Sequence, residues 1–259
     1  MALAIHDTGT GTPLLFLHAF PLDASQWDHQ VAALSGDHRC LRVDMWGCGE
    51  SLPPPPSVDA TFDTVATAIL AELDTRDIRE FTVIGLSMGG YLAFALLRAA
   101  GARVSALALC HTRATADGDA ARADRLAMAE RVVAEGSVES LVTSLPERLL
   151  GPSSRGEAHI VDPVRARIRR CTPAGIAFAQ RAMAARPDST PTLATLRIPV
   201  LVVTGDSDAM IPPAETQAMA ALIPGARFVE MSSGHLSNLE DPRAFNSVLG
   251  SFLETAPAA

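Results

Sequence analysis

The chain contains no lysine: its 21 basic side chains are all arginine, set against 29 aspartates and glutamates. That absence excludes a lysine Schiff base from any mechanism. The resulting formal charge of −8 argues against a nucleic-acid or anionic-membrane partner. No apolar run approaches the length of a membrane span. The opening MALAIHDTGTGTP lacks a basic region followed by a long apolar stretch, so no secretory signal is expected. There is no CxxC pair either. Cys40, Cys48, Cys110 and Cys171 lie scattered, without metal-like spacing, and read as reduced thiols of a cytoplasmic protein.

What is present is an ordinary soluble composition, 48% hydrophobic and 19% charged over 259 residues. That suits one large α/β domain, or a core carrying a small insertion. Short apolar runs rich in branched residues recur at 14–18, 40–44, 81–85, 104–110, 200–205 and 226–231. They are apolar throughout rather than alternating, as strands of a parallel sheet buried on both faces would be. Helical patterns over 61–74, 88–99, 213–222 and 241–254 lie between them. The alternation predicts a doubly wound sheet with ligands at the carboxyl ends of its strands.

One segment breaks the rhythm. Residues 112–191 hold no convincing strand, only helix candidates at 120–135, 137–150, 161–170 and 172–186. Thr172-Pro173 reads as an N-cap followed by proline at the first helical position, and Gly151-Pro152-Ser153-Ser154 as a break. So long a helical insertion is expected to be a cap over a core formed by 1–111 and 192–259. The cap holds 12 arginines against 10 acids, while the remainder holds 9 against 19. A slightly basic lid over an acidic core follows.

The sharpest motif is IGLSMGG, residues 84–90, a Gly-x-Ser-x-Gly between a strand pattern and a helix pattern. In such an elbow the serine occupies a strained turn, and larger residues at Gly85 or Gly89 would collide across it. Ser87 is therefore the expected nucleophile. A hydroxyl needs a base, and the base an orienting acid; on this elbow the order is serine, acid, histidine. After the strand VLVVTG the chain reads GDSDAMIPP, where Asp206 and Asp208 both qualify. Asp208 sits deeper in the loop, where it can reach a histidine, whereas Asp206 suits the turn itself. After the last strand comes SSGHLSNLED, and His235 is the histidine that follows the acid. The oxyanion donors are expected to be the backbone N–H groups of Met88, after the nucleophile, and Phe20, in LHAFP.

The remaining histidines have other expectations. His6, His29, His38 and His159 fall in surface turns or helices. His18 ends the first parallel strand and is expected to brace the oxyanion loop. His111, at the base of the insertion, suits a structural role or the pocket wall.

Together HAFP, DMWGCGES (44–51), GLSMGG and GDSD with GHLSNLE resemble the α/β-hydrolase superfamily over nearly the whole length. GLSMGG with GHLSNLEDP and AFNSVLGSFL is similar, more narrowly, to 3-oxoadipate enol-lactonases and related esterases. The resemblance implies an α/β-hydrolase fold with a helical cap, no cofactor and no metal, and a triad on Ser87, Asp208 and His235. The chain departs from the family at His18-Ala19, where glycine or an Asn-Ser pair is common, and at Trp46, which replaces an arginine. An enol-lactone would also bring a carboxylate for which Arg113, Arg122 or Arg125 are candidate partners. The expected activity is hydrolysis of a small carboxylic ester or lactone. Carbon–carbon bond hydrolysis, perhydrolysis and hydroxynitrile lysis use the same triad, and a non-catalytic ligand receptor is the rival of another class.

Overall fold

The computed structural model describes residues 3–255. Seven strands, β1 (Ile5–Thr8), β2 (Thr12–Leu17), β3 (His38–Val43), β4 (Phe81–Leu86), β5 (Val104–Cys110), β6 (Val200–Gly205) and β7 (Arg227–Met231), form one sheet. Their order is β1-β3-β2-β4-β5-β6-β7, with β1 antiparallel to β3 and the rest parallel. Every residue of β4, β5 and β6 is buried, which explains their unbroken apolar runs. Alternate side chains feed two cores. Leu15, Leu17, Val83, Leu107 and Val202 face helices α2 (Phe62–Thr75) and α3 (Met88–Ala100). Leu14, Phe16, Ile84, Ala108 and Val203 face α1 (Asp28–Leu34) and α11 (Pro242–Leu253), where Trp27 packs between Phe16 and Phe245.

The chain passes from β2 outward to β3, then returns across β2 to β4. That reversal opens a crevice at the carboxyl ends of β2 and β4. LHAFP leaves β2 there, and Ser87 leaves β4.

Between β5 and β6 lie helices α4 (Asp119–Glu135), α5 (Glu139–Leu149), α6 (Ala158–Arg169), α7 (Pro173–Ala185) and α8 (Thr190–Leu193). Thr172 caps α7, accepting from the Gly175 N–H, with Pro173 in the first turn. Helices α9 (Pro213–Ala221) and α10 (Ser237–Glu240) complete the chain. Strand β1 and the short α1, α8 and α10 were not among the expected elements.

The cysteine expectation is corrected. Cys48 and Cys171 form a disulfide across 123 residues of sequence, while Cys40 and Cys110 are free and buried. Spacing rules detect cysteines that are neighbours in sequence; here the Thr172 N–H donates to Gly47 O at 2.6 Å and sets the two loops side by side. Only Cys40 and Cys110 are thiols, so the cysteines do not point to a reducing compartment. No helix among the described residues is long and apolar enough to cross a membrane.

Candidate active site

Ser87 joins the last residue of β4 to the first of α3 with φ 56° and ψ −110°. A positive φ at a non-glycine residue costs about 1–3 kcal/mol and persists where surrounding structure enforces it. The enforcement is visible here: the Ser87 N–H donates to Cys110 O at 2.8 Å, and the Thr112 hydroxyl donates to Ser87 O at 2.9 Å. A Cβ on Gly85 would stand 2.5 Å from Gly89 O, and one on Gly89 would stand 2.1 Å from Leu17 O. Both obstacles are backbone, so the turn admits glycine at each position.

Asp208, in the loop after β6, is buried and fully hydrogen-bonded. Its Oδ1 accepts from the N–H groups of Met210 and Ile211 at 2.8 and 3.0 Å. Its Oδ2 meets Nδ1 of His235 at 2.8 Å and Nδ1 of His111 at 3.0 Å. Burial alone would raise its pKa; the interactions with His235 and His111, each at hydrogen-bond distance, outweigh that and hold the carboxyl well below the usual range. Asp206, by contrast, is exposed. His235 follows β7, and its backbone N–H donates to Leu149 O at the end of α5. With the His235 proton on Nδ1, facing Asp208, the neutral ring keeps a free lone pair on Nε2.

Ser87 and His235 line one cavity with Phe20, Arg113, Arg125 and Met183. Two of the three arginine candidates therefore stand at Ser87. Arg122 instead donates to Ala184 O. Behind the cavity Asp117 accepts from Arg113, Arg125 and Arg186. Its burial opposes ionisation, but the Arg186 and Arg125 guanidiniums overcome it and hold the carboxyl far below its ordinary value.

His18 braces two loops: its Nε2 accepts from the Met45 N–H at 3.0 Å, leaving Nδ1–H to donate to Ala19 O at 2.9 Å. Among the described residues, the non-glycine positions with positive φ are Asp77, Ser87 and His111, so Ala19 carries no such strain in place of glycine. Phe20 lies at the cavity, and Met88 opens α3, where its N–H has no carbonyl one turn earlier in the helix. Trp46 is buried edge-on against Phe178 of α7, at 5.4 Å between ring centroids.

His29 and His159 are exposed, as expected, but His6 is half-buried and its Nε2 lies 2.9 Å from the buried Asp44 carboxylate. The surface expectation failed there because β1 pairs with β3 and brings His6 under the loop after β3. The larger omission is His111. The donor atoms of His111, Asp208 and His235 all lie within 4.8 Å of one another. The Nδ1 of each imidazole meets the carboxylate at hydrogen-bond length, so protons bridge the cluster. A histidine directly after a buried strand was the available signal; its pairing with the next strand's loop was not.

A family model described as "Alpha/beta hydrolase family" matches residues 14–248. A thermophilic esterase from Thermogutta terrifontis, solved with malate bound, is 36% identical with a TM-score of 0.92, over 97% of this chain and 93% of that one. The enol-lactonase from Burkholderia xenovorans is 29% identical with a TM-score of 0.87, over 97% and 96%. In Acinetobacter baylyi, 3-oxoadipate enol-lactonase 1 is 27% identical over 98% of this chain and 93% of its own length. With the sheet order, the elbow at Ser87 and this match across most of its length, the chain belongs to the alpha/beta hydrolase family and is a hydrolase.

Proposed function

We propose that the chain cleaves a small carboxylic ester or lactone through an acyl-enzyme on Ser87. The observation that carries this reading is the strained serine sharing a cavity with His235, whose Nδ1 is held 2.8 Å from Asp208. In the reaction the Ser87 hydroxyl attacks the carbonyl carbon while His235 Nε2 accepts its proton. The buried Asp208 carboxylate fixes the tautomer and stabilises the imidazolium. Collapse of the tetrahedral intermediate expels the alkoxide, which takes the proton back from His235. Water, deprotonated by His235, then releases the acid and restores Ser87. The backbone N–H groups of Phe20 and Met88 are the proposed donors to the oxyanion. Residues 112–191 act as a lid in this reading, supported by Arg113, Arg125 and Met183 at the cavity.

Arg113 and Arg125 further favour a substrate bearing a carboxylate near the scissile bond. The names of the similar esterase and enol-lactonases agree with an ester or lactone bond. The test is turnover of p-nitrophenyl acetate and a lactone panel by the wild type and Ser87→Ala. We expect Ser87→Ala to lose about 10⁴-fold or more in kcat while staying folded. Residual activity near wild type would point to another nucleophile, and turnover of vinylogous diketones without esters would favour carbon–carbon bond hydrolysis.

A further inference from the structure

We infer that His111 is a positioning residue that shares the Asp208 carboxylate with His235 and moderates the basicity of that pair. The inference rests on Asp208 and His235 acting as acid and base. His111 is fully buried and both of its ring nitrogens are bonded. Nδ1 lies 3.0 Å from Asp208 Oδ2, and Nε2 lies 2.6 Å from the Ser237 hydroxyl on α10. An ionised carboxylate only accepts, so Nδ1 carries the proton and Nε2 accepts from Ser237. The backbone is held for this purpose. His111 has φ 49°, a left-handed conformation uncommon outside glycine, and its N–H donates to Val203 O at 2.8 Å. Simple filling of the core would not require the strained backbone.

The ring stays neutral because burial lowers its pKa, against the opposing pull of Asp208. Neutrality matters: the two imidazole centroids are 5.6 Å apart, and a charged His111 would oppose the imidazolium that His235 must become. A neutral N–H on Oδ2 instead draws off part of the carboxylate's charge. Asp208 then stays ionised at low pH and presents less negative charge to His235 than an unshared carboxylate would. The other groups facing this pair are Glu240 and Ser237 on α10, with Tyr91, Arg113 and Arg125 around the Ser87 cavity. None of them hydrogen-bonds to Oδ2 among the described residues.

The test is the rate at which a fluorophosphonate probe labels Ser87, measured against pH, which needs no knowledge of the natural substrate. In His111→Ala the acid limb should move up by about half a pH unit, roughly a threefold fall in the plateau-normalised rate on the limb. His111→Asn should keep the wild-type limb, since asparagine tolerates a left-handed backbone and its amide can donate where Nδ1 does. Ser237→Ala, which removes one oxygen and leaves the ring in place, should give a smaller shift in the same direction. Independently, proton NMR of the wild type should show two far-downfield imidazole N–H signals, and His111→Asn should show one. An unmoved limb in His111→Ala, an asparagine variant displaced as far as alanine, or a single wild-type signal would each overturn the assignment. A wild type that resists labelling would remove the proposed function as well.

Discussion

Asp117 turns the chain's arginine bias into structure. Arg186 meets it with both terminal nitrogens at 2.7 Å, while Arg113 and Arg125 reach it from the cavity side. Three guanidiniums against this carboxylate and Glu215, which pairs with Arg113 at 3.1 Å, leave local positive charge beside Ser87. We predict that Arg125→Met lowers kcat/KM about tenfold for p-nitrophenyl hemisuccinate, a loss of about 1.4 kcal/mol, and far less for p-nitrophenyl butyrate. Equal losses on both esters would assign Arg125 to holding Asp117 alone. The sequence could propose Arg113, Arg122 and Arg125 but not choose, because direction around α4 decides which of them reaches the cavity. Ser87, Asp208 and His235 were legible for the opposite reason: each follows an apolar strand in a short, typed loop. His111 was half legible. Its place after β5 was plain, but its partnership with Asp208 depends on β5 and β6 being neighbours in the sheet, 97 residues apart at the contact.

At the scale of elements, the loop after β3 and the start of α7 are fastened together. The Cys48–Cys171 disulfide, the Thr172–Gly47 backbone hydrogen bond and the Trp46–Phe178 edge contact all lie at this junction. Trp46 thus ties the helices between β5 and β6 to the sheet. Closing a loop of this length restricts the unfolded chain strongly, so Cys171→Ser should cost about 2–4 kcal/mol, read as a lower urea midpoint. Thiol titration of the denatured, unreduced protein should find two free cysteines; four would contradict the bridge. The long elements were readable because their periodicity runs over many residues. Strand β1 was not, being four residues of IHDT on an edge with no fully buried side chain. Helices of four residues such as α8 and α10 are too short for a 3.6-residue period to emerge.

For the whole molecule, acid should weaken folding in two stages. His111 is held neutral in the fold, so on acidification through about pH 6.5 the unfolded chain gains a proton that the native state refuses. Asp208 and Asp117 are held far below their ordinary values, so near pH 4 (about the unfolded carboxylate pKa) the unfolded chain again binds protons first. Stability rises with pH wherever the unfolded state binds more protons. Urea midpoints should therefore fall between about pH 7.5 and 5.5, and again below about pH 4.5. The first decline should flatten in His111→Asn; a midpoint constant from pH 7.5 to 5.5 would contradict a neutral buried imidazole. The sheet that sets these groups together also opens its crevice at the carboxyl ends of β2 and β4, where Ser87 is the proposed nucleophile. The most direct measurement is intact-mass and peptide analysis after treatment with a fluorophosphonate. One adduct is expected, on Ser87, absent in Ser87→Ala and formed far more slowly in His235→Ala. No adduct on the wild type, or one that persists in Ser87→Ala, would contradict it.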